Sequence, residues 1–416
     1  MKKTALLLAL LLTVSVFMAG CGGGGEEGGT TEGEATGGNT VEGTTIKIGV
    51  FEPTTGENGG GGMQEVLGVR YANEKFPTVD INGTTYDIEL VEVDNQSDKA
   101  AAVTAAQSLI SEGVVAVVGS YGSAVAIAAG ETFAEAQVPA MGASCTNPQV
   151  TLDNDYYFRV CFLDPFQGTV MAQYALDEGY TQAAVISQNG DDYSTGLASY
   201  FKQAFEANGG TIVADETYQT NESDFNAILT SVKSSGAEVI FCPSSIATAT
   251  LIIPQIAANG ITAQVMAGDT WENAAIISPE AVGVVLSTFF DENDETNTVA
   301  VDFVNGFKEY LNADPQRITW NSGSDTVAAV SALGYDAYVA IYQALQALDG
   351  TDLETINSND IRDALAGVTF DGVTGAISFD ENGDAVKDTA YIKTITEESL
   401  QTSSFQFVKT QTVADL

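Results

Sequence analysis

Short apolar runs alternate with stretches of helical period along most of this chain. Ile46-Lys47-Ile48-Gly49-Val50-Phe51 predicts a strand, and the one-sided apolar spacing from Met63 to Phe76 predicts a helix. Tyr86–Val93 reads as a strand, Ser97–Ser111 as a helix capped by Ser97, Val114–Gly119 as a strand and Ala124–Ala136 as a helix. A second series follows. Strands are predicted at Ala183–Ser187, Thr211–Ala214, Val239–Cys242 and Gln264–Ala267, with helices at Gly196–Ala207, at Phe225–Ser235 and across Pro254. Apolar strands alternating with amphipathic helices mean parallel sheets covered on both faces. Two such series predict an α/β protein built of two doubly wound parallel-sheet lobes. The remainder is helix-rich, over Val299–Leu311 and Asp325–Leu348. It ends in what reads as a hairpin, with Gly375–Phe379, a turn at Asp380–Gly383, and Tyr391–Ile395. This part completes the two lobes already begun, so the chain crosses between them more than once.

The first residues read as an address. Lys2 and Lys3 precede the apolar run Ala5–Leu12, and small residues follow, so residues 1–20 are expected to be a signal peptide rather than a spanning helix. Met18-Ala19-Gly20-Cys21 resembles a bacterial lipobox, which makes Cys21 the expected lipidation site. Residues 21–45 hold Gly, Glu and Thr with almost nothing apolar and read as a flexible tether. The expected product is extracytoplasmic, lipid-anchored to the outer face of the cell membrane or periplasmic, with no later apolar run long enough to span a bilayer. Cys145, Cys161 and Cys242 remain, and two readings stand: a Cys145–Cys161 bridge, or three buried thiols.

Composition narrows the function. The 416 residues include 15 basic and 56 acidic side chains, for a formal charge of −41, and no histidine. Without histidine there is no Ser-His-Asp triad, no Cys-His dyad and no His-ligated zinc. The charge argues against nucleic acid as a partner, because phosphates must be met by Lys and Arg. The glycine run Gly59–Gly62 lacks G-x-G-x-x-G spacing and no G-K-[ST] occurs, so no nucleotide cofactor is expected. Asp380-Glu381-Asn382-Gly383-Asp384 lacks the ligand spacing of a calcium loop, and no metal is expected there.

In doubly wound sheets, ligands sit beyond the carboxyl ends of the strands. The segments there carry Tyr121 and Ser123, Ser144 and Thr146, Tyr193, Ser245, and Asp269 and Trp271. Ser123 and Thr146 lie near helix starts, where free N–H groups and a hydroxyl suit a carboxylate. Asp269 suits an ammonium, and Tyr121, Tyr193 and Trp271 offer apolar walls with polar tips. This chemistry holds a small zwitterion and supplies no activated nucleophile, so no catalytic residue is assigned.

The joint order of Val117-Val118-Gly119 with Ser123, Ser144-Cys145-Thr146-Asn147-Pro148, Phe158-Arg159 with Asp164 and Gln167-Gly168, Asp192-Tyr193-Ser194-Thr195-Gly196, Gly334-Tyr335-Asp336-Ala337 and Phe379-Asp380-Glu381-Asn382-Gly383 resembles the type 1 periplasmic binding proteins, in the leucine/isoleucine/valine-binding branch. The resemblance covers about residues 45 to 400. It implies a solute receptor of an ABC importer, working with permease and ATPase subunits and binding an amino acid, branched-chain or related. A monomer is expected. It further implies that Ser123 and Thr146 hold the ligand carboxylate. The Ser144 carbonyl, the Thr146 hydroxyl and Asp269 hold the ammonium, and Tyr193 closes over the ligand. Departures lie in the side-chain pocket, where Gly61 and Ser245 stand in place of aromatic residues and Tyr121 in place of a smaller aliphatic one. The resemblance also implies a three-strand hinge near Cys161–Pro165, Phe289–Asp294 and Phe370–Gly375. Lobe 1 would then hold residues 46–164 and 293–372, and lobe 2 residues 165–292 and 373–416. The alternatives are a receptor for an amide or other small solute, and a sensory surface receptor without transport.

Overall fold

The computed structural model describes residues 37–412. The expected signal peptide and Cys21 lie outside the described residues. The chain first builds a six-stranded sheet from β1 (Thr45–Glu52), β2 (Thr78–Ile81), β3 (Thr84–Asp94), β4 (Ala116–Val118), β5 (Ala140–Gly142) and β6 (Tyr157–Arg159), in the order β2-β3-β1-β4-β5-β6. All its pairings are parallel except β2–β3. Helices α1 (Gly59–Lys75), α2 (Lys99–Ser111) and α3 (Ser123–Glu135) connect these strands. The chain then enters α4 (Asp164–Asp177) and a second sheet: β7 (Gln182–Gln188), α5 (Asp192–Ala207), β8 (Thr211–Tyr218), α6 (Asn226–Ser235), β9 (Val239–Phe241), α7 (Ile246–Ala258), β10 (Gln264–Ala267) and β11 (Val285–Thr288). Helices α8 (Thr298–Asn312), α9 (Pro315–Trp320), α10 (Ala329–Ala347) and α11 (Ser358–Leu365) follow, and α8 returns to the first layer, where Phe303 and Phe307 pack edge-on against Tyr71 of α1. The short pair β12 (Thr369–Gly372) and β13 (Gly375–Ser378) precedes β14 (Thr389–Thr394) and β15 (Gln406–Thr412), which complete the second sheet in the order β15-β14-β11-β10-β9-β7-β8.

Four local expectations are corrected. Ser97 does not cap α2; the Asp98 carboxylate accepts the N–H groups of Ala100 (2.9 Å) and Ala101 (2.8 Å), while the Ser97 hydroxyl is taken up by the Asn58 N–H and the Thr55 carbonyl. The helix expected from Met63 starts earlier, at Gly59, so the glycine run is its first turn. A Cβ on Gly62 would lie 2.0 Å from the Pro53 carbonyl, and one on Gly61 2.4 Å from the Tyr121 ring, so only glycine permits this approach. The expected hairpin does not form. β13 pairs with β12, whose tight turn is held by the Asp336 carboxylate accepting Val373 and Thr374 N–H groups at 2.8 Å, while β14, burying Ala390 and Ile392, runs antiparallel to β11. The last part of the expected tether is bound to the body. The Asn39 side chain donates to the carbonyls of Ile110 (3.0 Å) and Val114 (2.8 Å), and Val41 N–H to that of Ile356 (2.8 Å).

The three thiols of the described residues, Cys145, Cys161 and Cys242, are unpaired and buried, so no Cys145–Cys161 bridge is formed. No helix among the described residues is long and apolar enough to cross a membrane.

Helix α1, which carries Gly61 and Glu65, is placed by α10. A Cβ on Gly68 would meet the Ser331 carbonyl at 2.0 Å, and one on Gly334 the Glu65 carbonyl at 2.5 Å. The Ser331 hydroxyl in turn donates to the Gln64 carbonyl at 2.9 Å. The two backbones are therefore in direct contact at paired glycines. Gly68→Ala, which helix propensity alone would favour, is expected to destabilise the protein by about 1–3 kcal/mol through overpacking. Urea denaturation with an unchanged or raised midpoint would refute this contact.

Candidate functional site

The strand ends of the two sheets meet across a narrow cavity of about 20 Å³, with Tyr121, Ser123 and Ser144 on the side of the first sheet and Tyr193, Ser245 and Thr270 on the side of the second. Each is set by its local fold. Gly122, at φ +98°, turns the chain so that Ser123 opens α3, and the Ser123 Oγ accepts the Asn147 N–H at 3.1 Å. The Asp191 carboxylate caps α5 by accepting the N–H of Tyr193 (2.8 Å) and Ser194 (3.2 Å), which fixes Tyr193 in the first turn. Ser245 caps α7, its hydroxyl oxygen accepting the Thr248 N–H at 3.2 Å.

Asp269 lies buried behind Tyr193. Its Oδ1 accepts from the Tyr193 hydroxyl (2.9 Å) and the Gln167 amide (2.8 Å), while Oδ2 has no partner. Burial pushes this carboxyl up to about 6, against the two hydrogen bonds that pull it down. Thr146 is fully buried and its hydroxyl has no partner. It follows Cys145 and precedes Asn147, and the carbonyls of both accept from Arg159 Nη1, at 2.7 and 2.6 Å. Arg159 is itself fully buried and donates from Nε to Asp384 (2.5 Å) and from Nη2 to the Thr151 hydroxyl (2.9 Å). The loop bearing Thr146 is thus strung on one guanidinium fork.

Trp271 does not reach the cavity. It is fully buried in the apolar core of the second layer, and its Nε1 donates to the Ser244 carbonyl and hydroxyl at 3.1 Å. The structure therefore brings five of the eight expected binding residues, Tyr121, Ser123, Ser144, Tyr193 and Ser245, to one cavity, sets Asp269 behind Tyr193, buries Thr146 in the loop held by Arg159 and turns Trp271 inward. The Tyr121 hydroxyl donates to the Thr270 carbonyl (3.3 Å) across the gap between the sheets.

Several participants escaped the sequence. Glu65 accepts a short hydrogen bond from Ser144 and lies beside Glu52, which accepts the Tyr121 N–H at 2.6 Å. Burial pushes Glu65 up to about 8 and, with the neighbouring carboxyl adding to it, raises Glu52 well above its usual range, so the pair holds protons at neutral pH. Asp164 is buried without a hydrogen-bond partner and is raised by that burial to about 8. A carboxylate on the apolar face of α1, between Gln64 and Val66, was the available signal for Glu65. Polar contacts also bridge the sheets at the rim. Lys99 Nζ pairs with Asp192 (2.7 Å), the Asn147 amide donates to the Asp192 carbonyl (2.7 Å), and the Gln188 amide donates to Glu57 (3.1 Å). Among the described residues no cluster of His, Cys, Asp and Glu is arranged to hold a metal ion.

Residues 45–399 match the model of a family described as periplasmic binding protein. The chain belongs to that family. The Leu/Ile/Val-binding protein homolog 1 of Brucella abortus is 28% identical over 349 residues, covering 82% of this chain and 87% of the relative. A leucine-binding protein of Thermotoga maritima superposes with a TM-score of 0.79 at 30% identity, covering 89% of this chain and all of the other. A branched-chain amino acid substrate-binding protein of Streptococcus pneumoniae, in complex with isoleucine, gives 0.76 at 28% identity, over 89% and 99% of the two chains. These relatives are solute-binding proteins rather than enzymes. As a periplasmic binding protein of this type, the chain has the two parallel-dominated sheets its sequence predicts.

Proposed function

We propose that this protein is an extracytoplasmic solute-binding lipoprotein of an ABC importer that captures an α-amino acid, branched-chain or related, by hinge closure. Residues 46–164 with 293–372 form one lobe and 165–292 with 373–416 the other. Lipid on Cys21 holds the protein at the outer face of the cell membrane, and the closed monomer is handed to permease and ATPase subunits.

The observation that carries this reading is Asp269, a buried carboxylate with one unpartnered oxygen beside a cavity that also holds the first turn of α3. Burying an ammonium and a carboxylate removes their water, so each must be met by charge or oriented donors. Asp269 meets the ammonium, with the Ser144 carbonyl and Thr146. Ser123, Thr146 and the free N–H groups of α3 meet the carboxylate. Tyr193 holds Asp269 in place and shuts the site. The amino-acid ligands named for the relatives support the same assignment.

The reading predicts a pH dependence. An ammonium binds the ionised form of Asp269, which loses its charge below about 6. Glu65 and Asp164, raised to about 8, stay protonated throughout that range and leave the profile to Asp269. Calorimetry of the mature chain should show amino-acid affinity falling about tenfold from pH 7 to pH 5, and a profile flattened by Asp269→Asn. Failure of every α-amino acid to bind at pH 7 would refute the function.

A further inference from the structure

The handle for the α-amino acid leaves open what the far end of the cavity accepts. That end is defined by an exchange of bulk. Gly61 carries no side chain, and the Tyr121 ring occupies the space, so close that a Cβ on Gly61 would stand 2.4 Å from it. The ring cannot swing away freely, because its hydroxyl donates to the Thr270 carbonyl at 3.3 Å on the opposite side. The cavity as a whole, handle included, measures about 20 Å³, so a long side chain would have to displace the Tyr121 ring.

The chemistry of the lining is equally specific. Glu57, Asn58, Ser97 and Asp191 face this space, and Val125 is the one branched aliphatic side chain among the lining residues. No leucine, isoleucine, methionine or phenylalanine lines it, and no lysine or arginine. The nearby Lys99 is engaged by Asp192 (2.7 Å) and the Gly190 carbonyl (3.1 Å). Glu57 and Asp191 are acceptors when ionised. A branched aliphatic group would desolvate them and return no hydrogen bond, and a carboxylate would meet like charge with no cation to offset it. A hydroxyl, amide or amine would donate to them. Both carboxylates are half-buried and partly engaged, Glu57 by the Gln188 amide and Asp191 by the Tyr193 and Ser194 N–H groups, so a side chain that covers them must offer a donor to their remaining lone pairs.

We propose that this end of the cavity selects an amino acid with a short, hydrogen-bond-donating side chain, against both branched aliphatic and acidic ones. The inference rests on the α-amino-acid reading above and names the class within it. Tyr121 sets the length and Glu57 with Asp191 set the polarity.

Calorimetry on the unliganded mature protein with serine, asparagine, leucine, isoleucine and aspartate separates the two levels. Serine or asparagine is expected to bind at least tenfold tighter than leucine, isoleucine or aspartate. Leucine or isoleucine binding equally or better would overturn this inference and leave the amino-acid function standing. Aspartate binding equally or better would do the same. No binding by any of the five, nor by any other α-amino acid, would overturn both. In Tyr121→Ala, with fold checked by circular dichroism, the leucine-to-serine affinity ratio should rise at least tenfold, and an unchanged ratio would remove Tyr121 as the determinant of length.

Discussion

Asp269→Ala is expected to weaken amino-acid binding by about 3–5 kcal/mol, two to three and a half orders of magnitude in Kd. The ligand's ammonium would be buried with its main counter-charge gone, and Gln167 and Tyr193 offer hydrogen-bond donors where an acceptor is needed. The unliganded protein should not suffer in parallel. A carboxyl whose folded value is raised to about 6 penalises the folded state once ionised. That penalty is absent below the unfolded value and complete above the folded one. Removing the group at pH 7 should therefore leave Tm unchanged or higher while affinity collapses. Gln167 keeps Ser287 (3.0 Å) as a partner and Tyr193 keeps Thr270 (3.3 Å), so neither is stranded. Asp269→Asn, which preserves volume, should lose most of the same affinity. Unchanged affinity in both variants would remove Asp269 from the site.

Arg159→Met should be the most destabilising single change in the first layer. The guanidinium is fully buried and satisfies the Asp384 carboxylate and the carbonyls of Cys145 and Asn147, so its loss leaves Asp384 without its counter-charge, though still accepting from the Thr151 hydroxyl (2.9 Å), and two buried carbonyls without their donor. Breaking a buried pair from one side costs about 3–5 kcal/mol. The denaturation midpoint should fall accordingly. In variants that still fold, affinity should fall too, because the loop carrying Thr146 loses its anchor. Adding Asp384→Leu should recover part of the stability, since the stranded charge is gone, but not all, since the two carbonyls remain. Full recovery would mean that the carbonyl bonds contribute nothing.

Much of this was readable from alternation alone. The strands at β1, β7 and β10 announce themselves because both sheet faces are covered, which demands continuous apolar runs. Single residues at element ends were less legible. Ser97 and Asp98 are both good caps in isolation, and the choice fell to tertiary structure, in which the Ser97 hydroxyl instead accepts the Asn58 N–H and donates to the Thr55 carbonyl. Pairing between distant strands was not legible either. Gly375–Ser378 and Thr389–Thr394 have similar patterns, yet Asp336 folds the first back on β12 and frees the second for β11. In the site, hydroxyls and carboxylates after strands could be found by topology. Glu65 could not, because a buried acid on an apolar helix face looks like an error until its neighbours Glu52 and Ser144 are known. Trp271 was misplaced for the converse reason: an indole after a strand suits a cavity wall and a core equally, and only Ser244 decides between them.

The contacts at the rim have a consequence for how capture is tuned. Lys99 with Asp192, Asn147 with the Asp192 carbonyl and Gln188 with Glu57 join the two halves through protein atoms alone. If the halves part and close as proposed, each of these contacts favours the shut form whether or not a solute is inside. Apparent affinity equals intrinsic affinity scaled by the fraction of molecules already competent to bind. Salt that screens the Lys99–Asp192 pair, or substitutions at the rim, would shift that fraction without altering one contact to the solute. Two such receptors with identical cavities could then scavenge at quite different concentrations, distinguished by residues that never meet what they carry.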